Sequence, residues 1–293
     1  ALLIDASNAF NSVKRECTIQ NIATLCPSFY IFLVNTYRRP IRLIIQLWKE
    51  EIFSWEGTTQ GDPAAMGMYA LSVIPLIRSS VVNTLMQAWY ADDGTGVGKL
   101  ISLREWWGKI STDGPKYGYY ANAKKTILIV KPQHEALAWN LFENTGVDIQ
   151  VNGARHLGAA IGTQTFIEEY IMKKVEKWQA ELQTLTSFAL TEPQAAYSAF
   201  VFGFKGKWNF LQRTMPNTSH LFAPLEEAIR NNFLPSLTGH PISQLERDVL
   251  SLPTRNGGLG IVNPVETASH SFKESTKITE ELTSKIREQK WDC

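Results

Sequence analysis

Asp92 and Asp93 stand side by side in the stretch WYADDGTGVG, Trp89 to Gly98, directly after an apolar run. Adjacent carboxylates repel each other unless a cation offsets their charge. Mg²⁺ suits that task. It takes oxygen ligands, keeps several waters, and shares its other positions between one or two carboxylates and substrate phosphates. A plainer reading competes: Asp93-Gly94 is a strong tight-turn signal, and Asp92 is then a solvated turn residue. The cation reading calls for a third carboxylate on a matching strand end. Asp5, which closes the apolar run ALLID, meets that call, although an Asp there also suits the N-cap of a following helix. If the two strands are neighbours, Asp5, Asp92 and Asp93 converge at one rim of a sheet.

Around these acids the pattern predicts an α+β fold. ALLID reads as a buried strand ending on Asp5, and residues 13–37 as helical with a break at Pro27. IRLIIQLW and EIFSWEG read as a hairpin turning at Lys49-Glu50. The long apolar tract after TTQGDP reads as a helix with Asp62 as N-cap and Pro63 in the first helical position. MQAWYADDGTGVGKL reads as strand, turn, strand, and SLREWWGKISTDGPKYG as an amphipathic helix ended by Gly114-Pro115. KKTILIV and VDIQV…ARHLGAAIG add strands. Helices follow over roughly 166–188, 192–212, 218–233, 241–251 and 264–289, so the boundary between the α+β and helical halves falls near 162–165.

The order of short motifs carries a more specific signal. Asp5 with Phe10, Gln60-Gly61-Asp62-Pro63, Tyr90-Ala91-Asp92-Asp93, Asn122 through Thr126, and His156-Leu157-Gly158 follow one another over about 155 residues. In this order and spacing the chain resembles the reverse transcriptase family, RNA-dependent DNA polymerases with a palm fold. RNGGLGIVNPVETA, Arg255 to Ala268, is similar to the segment after the thumb in non-LTR retroelement polymerases. The resemblance implies a polymerase palm, an antiparallel sheet with packed helices, over 1–165. A helical thumb over 166–235 and a C-terminal helical extension over 236–293 follow. It implies a chain that opens at the first catalytic motif, with its fingers lying upstream in a longer retrotransposon protein.

The implied reaction is templated addition of dNTPs to a primer 3′ end. Phosphoryl transfer needs positioning and charge neutralisation, which two metal ions about 3.5–4 Å apart supply. Asp5 and Asp92 are expected to bridge two Mg²⁺ ions, or Mn²⁺ in their place, with Asp93 secondary and the carbonyl of Ala6 available to one ion. Phe10 is expected to stack under the sugar and exclude a 2′-hydroxyl; as a bare residue it reads equally as core. Gln60 and Gly61 are expected at the nascent base pair, where glycine lets the backbone approach. Lys125, or Lys124, is the candidate proton donor to pyrophosphate, and Leu157-Gly158 the support for the primer end; a solvated lysine and a plain hairpin are the competing readings. Asn11 stands where many relatives have Asp, and Ala64-Ala65 where Leu-Ser is usual.

Composition narrows the rest. The 293 residues carry a net charge of +1, and their three cysteines show no framework spacing, as in a reducing compartment. No apolar run approaches the roughly 18 residues of a membrane span, so the expected setting is intracellular, cytoplasm or nucleus. GTGVGK fails both nucleotide-loop spacings, with Leu100 where Ser or Thr belongs, and the five histidines form no zinc motif. Between Lys99 and Lys131 seven basic residues face two acids, which suits a phosphate-facing surface or a solvated helix face. FGFKGKWNFLQR mixes aromatic and basic residues as a thumb tracking a duplex would, though helical spacing of aromatics favours core for most of them. The expected partners are an RNA or DNA template with its primer strand, and dNTPs; oligomeric state is left open. Rival readings are a polymerase remnant that binds nucleic acid or a protein without synthesis, and a cyclase or RNA-copying RNA polymerase on a palm-like sheet. Phe10 and Gln-Gly-Asp-Pro speak against the last two.

Overall fold

The computed structural model describes residues 1–44, 51–59 and 61–289. The turn expected at Lys49-Glu50 and the candidate residue Gln60 lie outside them. The chain is α+β and forms two compact units, Ala1–Val151 with Lys285–Cys293, and Asn152–Ser284.

The first unit runs β1 (Leu2–Ile4), α1 (Ala9–Ser12), α2 (Arg15–Leu25), α3 (Pro27–Tyr37), β2 (Ile41–Leu43), β3 (Ile52–Ser54), α4 (Ala65–Ser79), β4 (Leu85–Tyr90), β5 (Asp93–Gly98), α5 (Leu100–Tyr117), β6 (Ile127–Ile129), α6 (Glu135–Leu141) and β7 (Asp148–Gln150). Its sheet has the order β4-β5-β1-β6-β7. The pairings are antiparallel except β6 with β7, which is parallel. The expected all-antiparallel sheet is thus corrected at one edge. Parallel neighbours need a crossover, and α6, which the periodicity left unread, supplies it.

One face of this sheet is closed by α4 and α5. Leu2, Ile4, Tyr69, Leu76, Trp106, Ile110 and Leu128 form the heart of that core. The glycines of GTGVG belong to this packing and not to a phosphate loop. A Cβ on Gly96 would meet the Trp106 ring at 2.7 Å, and one on Gly94 the Trp89 ring at 3.2 Å, so bare backbone lets both indoles lie on β5. Gln87, 3% exposed, ties them together. Its Oε1 accepts from Trp89 Nε1 at 3.0 Å and Trp106 Nε1 at 3.2 Å, while its Nε2 donates to the Ile77 carbonyl at 3.2 Å. Gln289 then covers the outer edge of β4, donating to the Gln87 carbonyl at 2.9 Å and accepting from its N–H at 3.0 Å. Gln87→Met keeps the volume but strands two indole donors and a carbonyl; a loss of about 2–4 kcal/mol by urea unfolding is expected.

In the first unit two helix boundaries differ from the sequence reading. α4 opens at Ala65, not Pro63, because the Asp62 carboxylate is engaged earlier: Oδ1 accepts from the Ala64 N–H at 2.8 Å and Oδ2 from the Tyr37 hydroxyl. α5 continues through Gly114-Pro115 to Tyr117. A proline in the last turn forfeits little, and Gly118 at φ +79 closes the helix.

The second unit contains β8 (Gly153–His156), β9 (Ala159–Gly162), α7 (Gln164–Ala189), α8 (Pro193–Phe202), α9 (Asn209–Thr214), α10 (Ala223–Ala228), α11 (Leu234–Thr238), α12 (Gln244–Ser251) and α13 (Pro264–Ile278), after which α14 (Glu280–Glu288) follows. The helix expected over 192–212 breaks at Gly203, where Phe204 turns into the core. That over 218–233 continues to Thr238 through a wide π turn at 229–233, just ahead of Pro235 and its missing donor. That over 264–289 is interrupted at Thr279. One core joins Trp178, Phe200, Trp208, Phe233, Ile261 and Ala268. It takes in residues from both sides of 235, and Ala160 of the β8–β9 hairpin, so the compact units divide after Val151.

Candidate functional site

The β1 register runs Leu2↔Gly96, Leu3↔Thr95, Ile4↔Gly94 against β5. Its next step sets Asp5 beside Asp93. The β4–β5 ladder closes at Tyr90↔Asp93, so the loop between the strands is Ala91-Asp92. The competing turn at Asp93-Gly94 is therefore not the one formed; Gly94 lies within β5. Ala91 has φ +54, the first-position requirement of a type II′ turn. By strand alternation Asp5 and Asp93 share the face of Leu3 and Thr95, opposite the core face of Ile4 and Gly94.

Asp5 is anchored from its other side. Its carbonyl accepts from the Asn122 N–H at 2.8 Å, and the Ser7 N–H donates to the Tyr120 carbonyl at 2.8 Å. These bonds flank an Ala6↔Ala121 bridge and leave the Ala6 carbonyl turned away from Ala121. The loop that follows brings Lys125 Nζ to 3.7 Å from Asp5 Oδ1, with the lysine side chain 65% exposed. Lys124 is exposed as well. Phe10, half-buried on α1, stacks on Tyr69 of α4 with ring centroids 4.5 Å apart and planes at 24°.

Burial leads the electrostatics here, and neighbouring acids add to it. Burial, then Asp92, then Asp5 raise the Asp93 carboxyl above the ordinary range. Burial, then Asp92 and Asp93, weaken the Tyr69 phenol as an acid; burial, then Tyr69 and the three acids, weaken that of Tyr119. Tyr69 is wholly buried, and its hydroxyl has no hydrogen-bond partner among the described residues. A divalent cation relieves such crowding. Among the described residues there is no group of three or more His, Cys, Asp or Glu side chains placed to hold an ion. Mg²⁺ asks for less: one or two carboxylates, with waters and phosphate oxygens for the rest. Asp5, Asp92 and Asp93 and the Ala6 carbonyl offer oxygen donors, the type that Mg²⁺ takes.

The remaining candidates are dispersed. Gly61 lies in the first unit, in the exposed loop before α4, at φ +91; a Cβ there would meet nothing within 4 Å, so the backbone angle is what calls for glycine. Leu157 and Gly158 belong to the second unit. They form the two-residue loop of the β8–β9 hairpin, at φ +47 and +87, the type I′ pattern. The Gly158 carbonyl accepts from the Tyr170 hydroxyl at 2.8 Å, and Leu157 is exposed.

In the basic stretch 99–131, Arg104, Lys109 and Lys116 are tied into local structure through the Leu141 carbonyl, the Val81 carbonyl with Glu105, and Asp113. Of the aromatics in FGFKGKWNFLQR, Phe204 and Trp208 are core, whereas Phe202 and Phe210 are exposed.

Tyr69, Gln87 and Tyr119 are the residues that sequence reasoning did not find. The Tyr119 hydroxyl donates to the Asp92 carbonyl at 2.9 Å. Its neighbours Tyr117 and Tyr120 have the same chemistry, and only burial separates it from them. No protein-family model matches the chain, and no curated protein matches it. Among the described residues no helix is long and apolar enough to cross a membrane.

Proposed function

We propose that this chain is the catalytic part of a retroelement reverse transcriptase, an RNA-directed DNA polymerase whose first unit holds the palm and whose helical unit supplies the thumb. The observation that carries the reading is the register that sets Asp5 beside Asp93, with Asp92 in the adjoining loop. The ordered motifs of the sequence support it independently. Asp5 and Asp92 would hold Mg²⁺, with Asp93 and the Ala6 carbonyl alongside. The bound ions would neutralise charge at the attacking and leaving oxygens. In the reaction the primer 3′-hydroxyl gives up its proton to solvent and its oxygen bonds to the α-phosphorus of a dNTP while the bond to pyrophosphate breaks. Lys125, already within reach of Asp5, donates a proton to the departing pyrophosphate. Phe10, supported from below by Tyr69, excludes a 2′-hydroxyl. Gln60 and Gly61 serve the nascent pair, and the exposed tip at Leu157-Gly158 serves the primer strand.

Primer extension on poly(rA)–oligo(dT) with dTTP and Mg²⁺ tests this, using the chain preceded by whatever residues its gene encodes upstream. Extension supports synthesis. A folded protein that binds the duplex without extending it favours the binding-only alternative. Phe10→Ala is expected to raise ribonucleotide use relative to deoxyribonucleotide by about tenfold or more, since steric exclusion is its only means of discrimination. Unchanged selectivity would remove Phe10 from that role.

A further inference from the structure

The loop that carries Asp92 is held in a conformation its own residues resist. Ala91 sits at φ +54, where glycine is at ease and an L-side chain is crowded against its backbone. The β4–β5 ladder closes the loop on both sides, and the Asp92 carbonyl accepts from a side-chain donor, the Tyr119 hydroxyl, at 2.9 Å. Tyr119 is delivered rigidly. It is 0% exposed, its ring meets Trp89 edge-on at 5.6 Å, and its N–H is bonded to the Gly114 carbonyl at 3.0 Å. The residue before it is Gly118, whose Cβ would lie 2.0 Å from the Ser12 carbonyl oxygen, so α5 is seated directly against the chain leading from α1 to α2.

We infer that Tyr119 is a positioning residue for the acidic turn: its hydroxyl holds the Asp92–Asp93 peptide against the strain at Ala91, and so sets where both carboxylates stand. The holding is a property of the fold. Only its consequence for metal binding rests on the polymerase reading.

The test uses Tyr119→Phe, Ala91→Gly and the double variant in the full chain. Hydrogen exchange of the amides in 91–94 reads the turn directly. Tyr119→Phe removes the hydroxyl and keeps the ring, so exchange there should quicken about tenfold, the worth of one buried hydrogen bond, while amides of α4 stay unchanged. Ala91→Gly relieves the strain, so the double variant should return most of the way to the parent. Ala91→Gly alone should slow exchange, which keeps the idea testable if Tyr119→Phe fails to fold. Unchanged exchange in Tyr119→Phe, or no recovery in the double variant, would overturn the inference.

Free Mn²⁺, followed by electron paramagnetic resonance, reads the consequence. Binding should weaken about fivefold in Tyr119→Phe, the loss of one buried hydrogen bond transmitted to the carboxylates, and recover in the double variant. If Asp92→Asn abolishes Mn²⁺ binding but Tyr119→Phe leaves both binding and exchange untouched, the positioning role falls and the polymerase reading stands. If Asp92→Asn binds Mn²⁺ as the parent does, the polymerase reading falls, and the exchange data alone decide the role of Tyr119.

Discussion

Asp92→Asn should reduce Mg²⁺-dependent primer extension by at least about two to three orders of magnitude while leaving the protein folded. Asparagine has the shape of aspartate, so the Ala91-Asp92 loop and the Tyr119 bond to the main-chain carbonyl are kept. What goes is one negative charge and one hard oxygen ligand. Removing a single group that stabilises developing charge in a water-poor site costs about 10²–10³ in rate, and loss of a metal ligand falls in the same class. Stability should move the other way. The carboxylates of Asp92 and Asp5 both oppose ionisation of Asp93, so removing one relieves repulsion in the metal-free protein. The melting temperature of the variant should therefore equal or exceed that of the parent. The pairing of lost extension with undiminished melting temperature is the signature. Extension retained by a folded Asp92→Asn protein would remove Asp92 from the metal.

Arg247→Met should destabilise the helical unit by about 3–5 kcal/mol, the usual cost of breaking one side of a buried ion pair. The arginine side chain is 2% exposed and Glu226 14%. Nε and Nη2 meet the two Glu226 oxygens at 2.6 and 2.7 Å, and Nη1 donates to the Ile261 carbonyl at 2.7 Å. One guanidinium therefore fastens α12 and the Ile261 loop to α10. Without it Glu226 is an uncompensated charge in an apolar setting, and a buried carbonyl loses its donor. Urea unfolding of the whole chain, followed by the fluorescence of the core residues Trp178 and Trp208, reads the loss. Adding Glu226→Leu should restore much of it, because replacing both partners removes the orphaned charge. A cost under about 1 kcal/mol for Arg247→Met would place the pair among solvent-screened surface bridges.

In the helical unit the aromatic-basic stretch divides between core and surface. In FGFKGKWNFLQR, Phe204 and Trp208 pack into the core with Phe200, whereas Phe202 on the same short stretch is 88% exposed. The break at Gly203 separates them. A continuous helix would have assigned faces by a period of 3.6, and a break resets the phase.

Much of the scaffold was legible because it follows from local pattern. The strand character of ALLID, the break at Pro27, the strand-turn-strand around YADD and the long helix after Thr163 rest on alternation, helical periodicity and proline chemistry, all carried by consecutive residues. The acids Asp5, Asp92 and Asp93 were conspicuous for the same reason: Asp5 ends one apolar run, and the Asp92-Asp93 pair ends another. What consecutive residues cannot encode is which partner lies across the pair. The loop is Ala91-Asp92 and not Asp93-Gly94 because Trp89 and Trp106 claim the glycine positions of β5, a requirement set by α5 and Gln87. Tyr119 differs from Tyr117 and Tyr120 only in being buried against Trp89. Arg247 reads as an ordinary solvated helix residue until Glu226 and Ile261 close over it. Sequence alone thus determined most strands, the long helices and the positions of the acids; tertiary packing decided where helices break or run on, and which residues turn, anchor and orient them, since those choices depend on desolvation by groups distant along the chain.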